Sequence, residues 1–121
     1  MQTILIIEDE PTLQKTLSAA LTDAGYEIKN ALDCEIGLKL ARELKPNLIL
    51  LDLILPKLDG FEVLDELKKD DSTKDIPVII LTNLESTPDI ERALALGATS
   101  YLVKANYDLK DVIEKVKEAI K

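Results

Sequence analysis

Residues 48–51, Leu-Ile-Leu-Leu, run directly into a single acid, Asp52, and the apolar run resumes at Leu53. Turn-forming residues bound the stretch: Lys45-Pro46 before it, Pro56 and Asp59-Gly60 after it. An apolar run of this length without alternation predicts a strand covered on both faces, which is the condition of a central strand in a parallel sheet. Asp52 then stands at the carboxyl end of that strand. Open α/β sheets bind their ligands just beyond that edge. A carboxylate there is costly to desolvate unless a partner or a function holds it. Asp52 is therefore the first candidate for a working group.

The rest of the chain supplies the elements such a strand requires. Residues 3–7 (TILII) form a first apolar run, ended by Glu8-Asp9-Glu10. Pro11 suits a first helical position, where its missing N–H costs little. Leu13, Leu17, Ala20, Leu21 and Ala24 recur at helical spacing, and Gly25 supplies a stop. Residues 26–31 predict a second, more exposed strand. Asp33 caps a helix carrying Ile36, Leu40, Ala41 and Leu44, which ends before Pro46. After the Asp52 strand, Asp59-Gly60 opens a helix with Phe61, Leu64 and Leu67, and residues 68–75 (KKDDSTKD) predict a loop. Pro77 introduces a fourth strand, VIIL, ended by Thr82. Thr87-Pro88 starts a helix with Ile90, Ala93 and Leu94, stopped at Gly97. Residues 100–103 (SYLV) predict a fifth strand, ended by Lys104. Asp108 caps a last helix bearing Leu109, Val112, Ile113, Val116 and Ile120. Five strand–helix repeats predict one α/β domain over residues 1–121, a parallel sheet with helices on both faces.

Composition excludes several chemistries. The 121 residues contain no His, which removes His bases, His metal ligands and phosphohistidine. The net charge of −8 disfavours direct nucleic-acid binding, which needs clustered Lys and Arg. It favours a divalent cation wherever carboxylates converge. The one cysteine, Cys34, cannot form an internal disulfide, which suits a reducing cytoplasm. The sequence reads without a basic signal-peptide start or an apolar run of membrane-spanning length, so the expectation is a cytoplasmic chain with no membrane partner.

Crossovers of one handedness bring the carboxyl ends of all strands to one edge. Glu8 and Asp9, Asp52, Thr82 and Lys104 should meet there. Taken singly, each has an ordinary reading: Glu8-Asp9 as a helix cap, Asp52 and Lys104 as a structural ion pair, Thr82 as a β-branched strand residue. Taken together, they describe one chemistry. Close carboxylates repel, and a hard cation such as Mg²⁺, which prefers oxygen ligands, relieves the repulsion. Asp52 could then act as a nucleophile toward phosphorus. Lys104 would neutralise phosphoryl charge, and the Thr82 hydroxyl would donate to a phosphoryl oxygen.

The ordered set IEDEP (7–11), LLDLILPKLDG (50–60), LTN (81–83) and YLVK (101–104) resembles the receiver domain of two-component response regulators, of the single-domain chemotaxis type. The resemblance spans Thr3 to Ile120. It implies a flavodoxin-like, doubly wound five-stranded parallel sheet of order 2-1-3-4-5 with five helices. It implies a phosphorylation-activated switch rather than an enzyme with a separate product. Asp52 matches the phosphoacceptor, Asp9 the direct Mg²⁺ ligand, Glu8 the acid acting through water, and Ile54 the backbone carbonyl ligand. Thr82 matches the switch hydroxyl, Lys104 the phosphate-pairing lysine, and Tyr101 the aromatic that turns inward with Thr82. The implied partners are a sensor histidine kinase or His phosphotransfer protein, and an unidentified downstream protein met at the face of helix four, strand five and helix five. A phosphorylation-dependent dimer is a further implication.

Four residues depart from the usual pattern. Ala105 replaces the proline that follows the lysine, and a cis bond before Ala would cost about 2.5–4 kcal/mol. Asn83 is larger than the small residue usual after the switch hydroxyl. Ile54 and Leu84 are apolar at the two positions that, by the resemblance, influence how fast water removes the phosphate, and the expectation is a long-lived phosphoryl group. Rival readings are weaker. A haloacid-dehalogenase phosphatase needs an acid where Ile54 stands. A nucleotide-binding module needs a GxxxxGK[ST] or GxGxxG cradle, and the sequence has neither. A receiver that docks partners without being phosphorylated is the remaining alternative.

Overall fold

The computed structural model describes residues 2–53, 59–82, 87–103 and 108–120. Strands β1 (Thr3–Ile7), β2 (Glu27–Ala31), β3 (Leu48–Asp52), β4 (Val78–Thr82) and β5 (Ser100–Val103) alternate with helices. These are α1 (Pro11–Asp23), α2 (Cys34–Leu44), α3 (Gly60–Lys69), α4 (Thr87–Ala95) and α5 (Leu109–Ile120). The strands form one parallel sheet of order β2-β1-β3-β4-β5, the predicted flavodoxin-like arrangement. The winding direction reverses between β1 and β3, so the switch point of the sheet lies beside the carboxyl end of β3.

Every residue of β3 is buried, and side chains alternate between faces. Ile49 and Leu51 join Leu5, Ile7, Val78 and Ile80 in a core closed by residues of α2, α3 and α4. Leu48 and Leu50 join Ile4, Ile6, Ile79 and Leu81 in a second core closed by residues of α1 and α5. This two-sided burial is why β1, β3 and β4 lack a polar face, whereas the edge strand β2 exposes Glu27, Lys29 and Asn30.

The helix ends follow their sequence signals. Pro11 opens α1, and Gly25, at φ 102°, follows its last turn. Asp33 Oδ1 accepts the Ile36 N–H at 2.9 Å, Asp59 Oδ1 the Phe61 N–H at 2.8 Å, and Asp108 Oδ1 the Lys110 N–H at 2.9 Å. Three expectations are corrected. Tyr26 precedes β2 and is buried with the α1–α5 core. α3 continues through Lys68 and Lys69 before the loop begins. Lys68 Nζ donates to the Ile76 carbonyl at 2.7 Å and the Lys74 carbonyl at 3.3 Å, tying the helix end to the loop beyond it. Burial holds this ammonium below the ordinary lysine range, against the opposing pull of Asp75. The buried face of α2 is Cys34, Gly37, Leu38 and Ala41, while Ile36 and Leu44 are exposed.

Candidate functional site

The register between the two central strands sets Ile6 opposite Leu50 and Ile7 opposite Leu51. Continued one residue, it brings Glu8 level with Asp52, on the side of the sheet shared by Ile6 and Leu50. Asp9 follows at the rim. Carboxylate oxygens of Glu8, Asp9 and Asp52 lie within 4.8 Å of one another. Glu8 is fully buried, Asp52 is 3% exposed, and Asp9 is exposed. Two desolvated acids and one at the mouth make an oxygen-donor set that solvent can enter from one side. Their mutual repulsion is strong at this spacing, and a divalent cation relieves it. The donor set is the hard, all-oxygen kind that suits Mg²⁺, Ca²⁺ or Mn²⁺.

Glu8 is fixed at several points. Its N–H donates to the Ala31 carbonyl at 3.0 Å, and its Oε1 accepts the Glu10 N–H at 3.1 Å. Its carbonyl accepts from Gln14 Nε2 at 2.7 Å, and the same amide donates to the Ala31 carbonyl at 3.0 Å. The N-cap of α1 is Glu10, which makes no side-chain capping bond, so neither Glu8 nor Asp9 is the N-cap residue itself. Gln14, buried on the inner face of α1, is absent from the sequence reading. Its signal was a polar residue between Leu13 and Leu17 on the core side of the helix.

Asp52 is backed by α3. The Gly60 N–H donates to the Leu53 carbonyl at 2.9 Å, and the glycine lies flat against the chain at Asp52 and Leu53. The Leu53 N–H donates to the Leu81 carbonyl at 3.2 Å, which ties the end of β3 to β4. Asp52 stands opposite Leu81, so Thr82 ends β4 one residue beyond the acid.

The response regulator receiver domain model matches residues 4–117. The chain belongs to this family. As a receiver it is 40% identical over all 121 residues to the DNA-binding dual master transcriptional regulator RpaA of Synechocystis, of which it covers 50%. The chain spans about half the length of that relative. Among solved structures it resembles the chemotaxis protein CheY4 of Vibrio cholerae, with TM-score 0.91, 27% identity and 98% of each chain covered. It also resembles the Mn²⁺-bound form of the response regulator Rcp1, with TM-score 0.80, 32% identity, and 98% and 91% of the two chains covered.

Of the receiver positions expected from sequence, Glu8, Asp9 and Asp52 converge, and Thr82 reaches the same edge. Tyr101, opposite Ile80 on β5, is 38% exposed. Ile54, Asn83, Leu84, Lys104, Ala105 and the Lys104–Ala105 peptide bond lie outside the described residues. Among the described residues, no helix is long and apolar enough to cross a membrane.

Proposed function

We propose that this receiver, a single domain over residues 1–121, is a phosphorylation-activated switch in which Asp52 accepts the phosphoryl group. The observation that carries the reading is the convergence of Glu8, Asp9 and Asp52 at the switch point of a receiver sheet. Asp9 and Asp52 would ligate Mg²⁺ directly, with the Ile54 carbonyl, and Glu8 through water. Mg²⁺, when bound, draws charge from the phosphoryl oxygens and screens their approach to the acid. The Rcp1 structure in Mn²⁺-bound form supports a divalent cation in such a domain.

A carboxylate oxygen of Asp52 attacks phosphorus in line with the leaving nitrogen of a phosphohistidine. The P–N bond breaks, its electron pair stays on the donor imidazole, and an aspartyl phosphate forms. These 121 residues contain no His, so the phosphohistidine lies outside them, on a sensor histidine kinase or a His phosphotransfer protein. Lys104 pairs with the new phosphate, the Thr82 hydroxyl donates to it, and Tyr101 turns inward from its exposed position. The surface of α4, β5 and α5 carries the signal to a downstream protein or a second receiver. The modified protein is itself the product, and the setting is the cytoplasm.

The test is intact mass after incubation with acetyl phosphate and Mg²⁺. One phosphoryl group is expected on the native chain and none on Asp52→Asn. An unmodified native chain, with a phosphohistidine donor as well, would favour a receiver that docks without phosphorylation. Ile54 and Leu84 keep attacking water out, so Ile54→Asn with Leu84→Glu should shorten the phosphoryl lifetime; an unchanged lifetime would remove this part of the proposal.

A further inference from the structure

We infer that Gln14 is a positioning residue for the cation site, resting on the reading above of Glu8, Asp9 and Asp52 as that site. Its amide nitrogen spends both hydrogens on main-chain carbonyls at the carboxyl ends of two strands, Glu8 at 2.7 Å and Ala31 at 3.0 Å. Ala31 closes β2 opposite Ile7, and Glu8 is the first residue past β1. The side chain therefore clamps the carboxyl ends of both strands from α1, the helix that connects them. The Ala31 carbonyl also accepts the Glu8 N–H at 3.0 Å, so one carbonyl takes two donors and Glu8 is gripped at both its amide and its carbonyl.

The consequence falls on Asp9. The Glu8 carbonyl belongs to the peptide plane that joins Glu8 to Asp9. Fixing that oxygen fixes the plane, and with it the direction in which Asp9 leaves the strand. Glu8 Oε1 accepts the Glu10 N–H at 3.1 Å, and the Glu10 carbonyl accepts the Gln14 N–H at 3.0 Å. Residues 8–10 are thus a closed loop whose return is residue 14, using both its main chain and its side chain. Without the Gln14 amide, the Glu8 carbonyl is buried without this donor and the Glu8–Asp9 peptide gains freedom to rotate. Carboxylates that must meet within 4.8 Å would then have to be reordered by the cation itself, which weakens binding.

Gln14→Met keeps length and bulk and deletes both donors; Gln14→Asn keeps the amide but shortens its reach. Mg²⁺ affinity of each folded variant is read by calorimetric titration, alongside the rise in urea midpoint that a fixed Mg²⁺ concentration produces. The rise reports binding independently of baseline stability. The expected result is a Kd about tenfold weaker for Gln14→Met, with a smaller Mg²⁺-induced rise, and the same direction for Gln14→Asn. A residue that only packs would lower the midpoint while leaving Kd and the Mg²⁺-induced rise unchanged, and that result overturns the inference. A native chain that binds no Mg²⁺ overturns the cation reading itself, and Gln14 with it. If Gln14→Met does not fold, Gln14→Asn with native affinity is sufficient to reject the proposal.

Discussion

A Cβ placed on Gly60 would lie 2.4 Å from Leu53 Cα, 2.6 Å from the Leu53 carbonyl oxygen and 2.7 Å from that of Asp52. All three neighbours are main chain, so no side chain can swing aside to make room. Gly60→Ala should therefore push α3 away from the end of β3. The expected loss is about 1–3 kcal/mol, typical of overpacking, together with slower acetyl-phosphate labelling because Asp52 is displaced. Urea denaturation and labelling rate check the two effects. Native stability with native labelling would mean that the helix start relaxes freely.

The acid cluster should make stability depend on divalent cations. At a cation concentration 100-fold above Kd, the native state gains about 2.7 kcal/mol. Asp9→Asn removes the exposed acid of the three and should flatten this dependence while leaving both cores intact. Thermal melts across a Mg²⁺ series, with a chelator control, read the difference. Parallel cation responses in the two proteins would contradict the assignment of Asp9.

Arg92 of α4 lies with its guanidinium carbon 4.2 Å from the centroid of the Phe61 ring on α3. A cation–π contact of this exposed kind contributes about 0.5–1 kcal/mol. A double-mutant cycle of Arg92→Ala and Phe61→Leu should return a coupling in that range. A coupling near zero would reduce the contact to mere proximity.

Asp70 is held below the ordinary carboxylate range. The Ser72 N–H at 2.9 Å is the leading cause, followed by the Ser72 hydroxyl at 2.7 Å and the Arg42 guanidinium at 2.9 Å. A carboxyl depressed in the folded state binds its proton more readily in the unfolded chain. Its contribution is therefore complete above the unfolded value of about 3.9 and disappears as pH falls through the lower folded value. Asp70→Asn should lose part of the native acid-side decline. Urea midpoints stepped downward from about pH 6 test this; identical slopes for the two proteins would count against it.

Strands β1, β3 and β4 were legible because a parallel sheet covered on both sides leaves no polar register to disguise them. The edge cluster was legible for the same reason: Glu8, Asp9 and Asp52 interrupt apolar runs at points that the repeating topology must superpose. The face of α2 was misread because its contact with the sheet uses small residues. A Cβ on Gly37 would come within 2.6 Å of Ile7 Cδ1, so the helix approaches too closely for bulk, and Ile36 and Leu44 are left outside. The pairing of Gly37 with Ala41, four residues apart, was the available sign. Gln14 was passed over because its partners are main-chain carbonyls, which carry no mark in a sequence.

The division of the interior has a consequence for inheritance. Leu48 and Leu50 face one core and Ile49 and Leu51 the other, so the two helical layers share a sheet but almost no side chains. Glu8 and Asp52 follow the register of the α1–α5 layer. The α2–α4 layer, which forms the opposite core, can therefore diverge between lineages by repacking against its own set of strand residues. The acid cluster meets that drift where α3 starts, because Gly60 lies against the main chain of Asp52 and Leu53, so this contact must hold while the rest of the layer repacks.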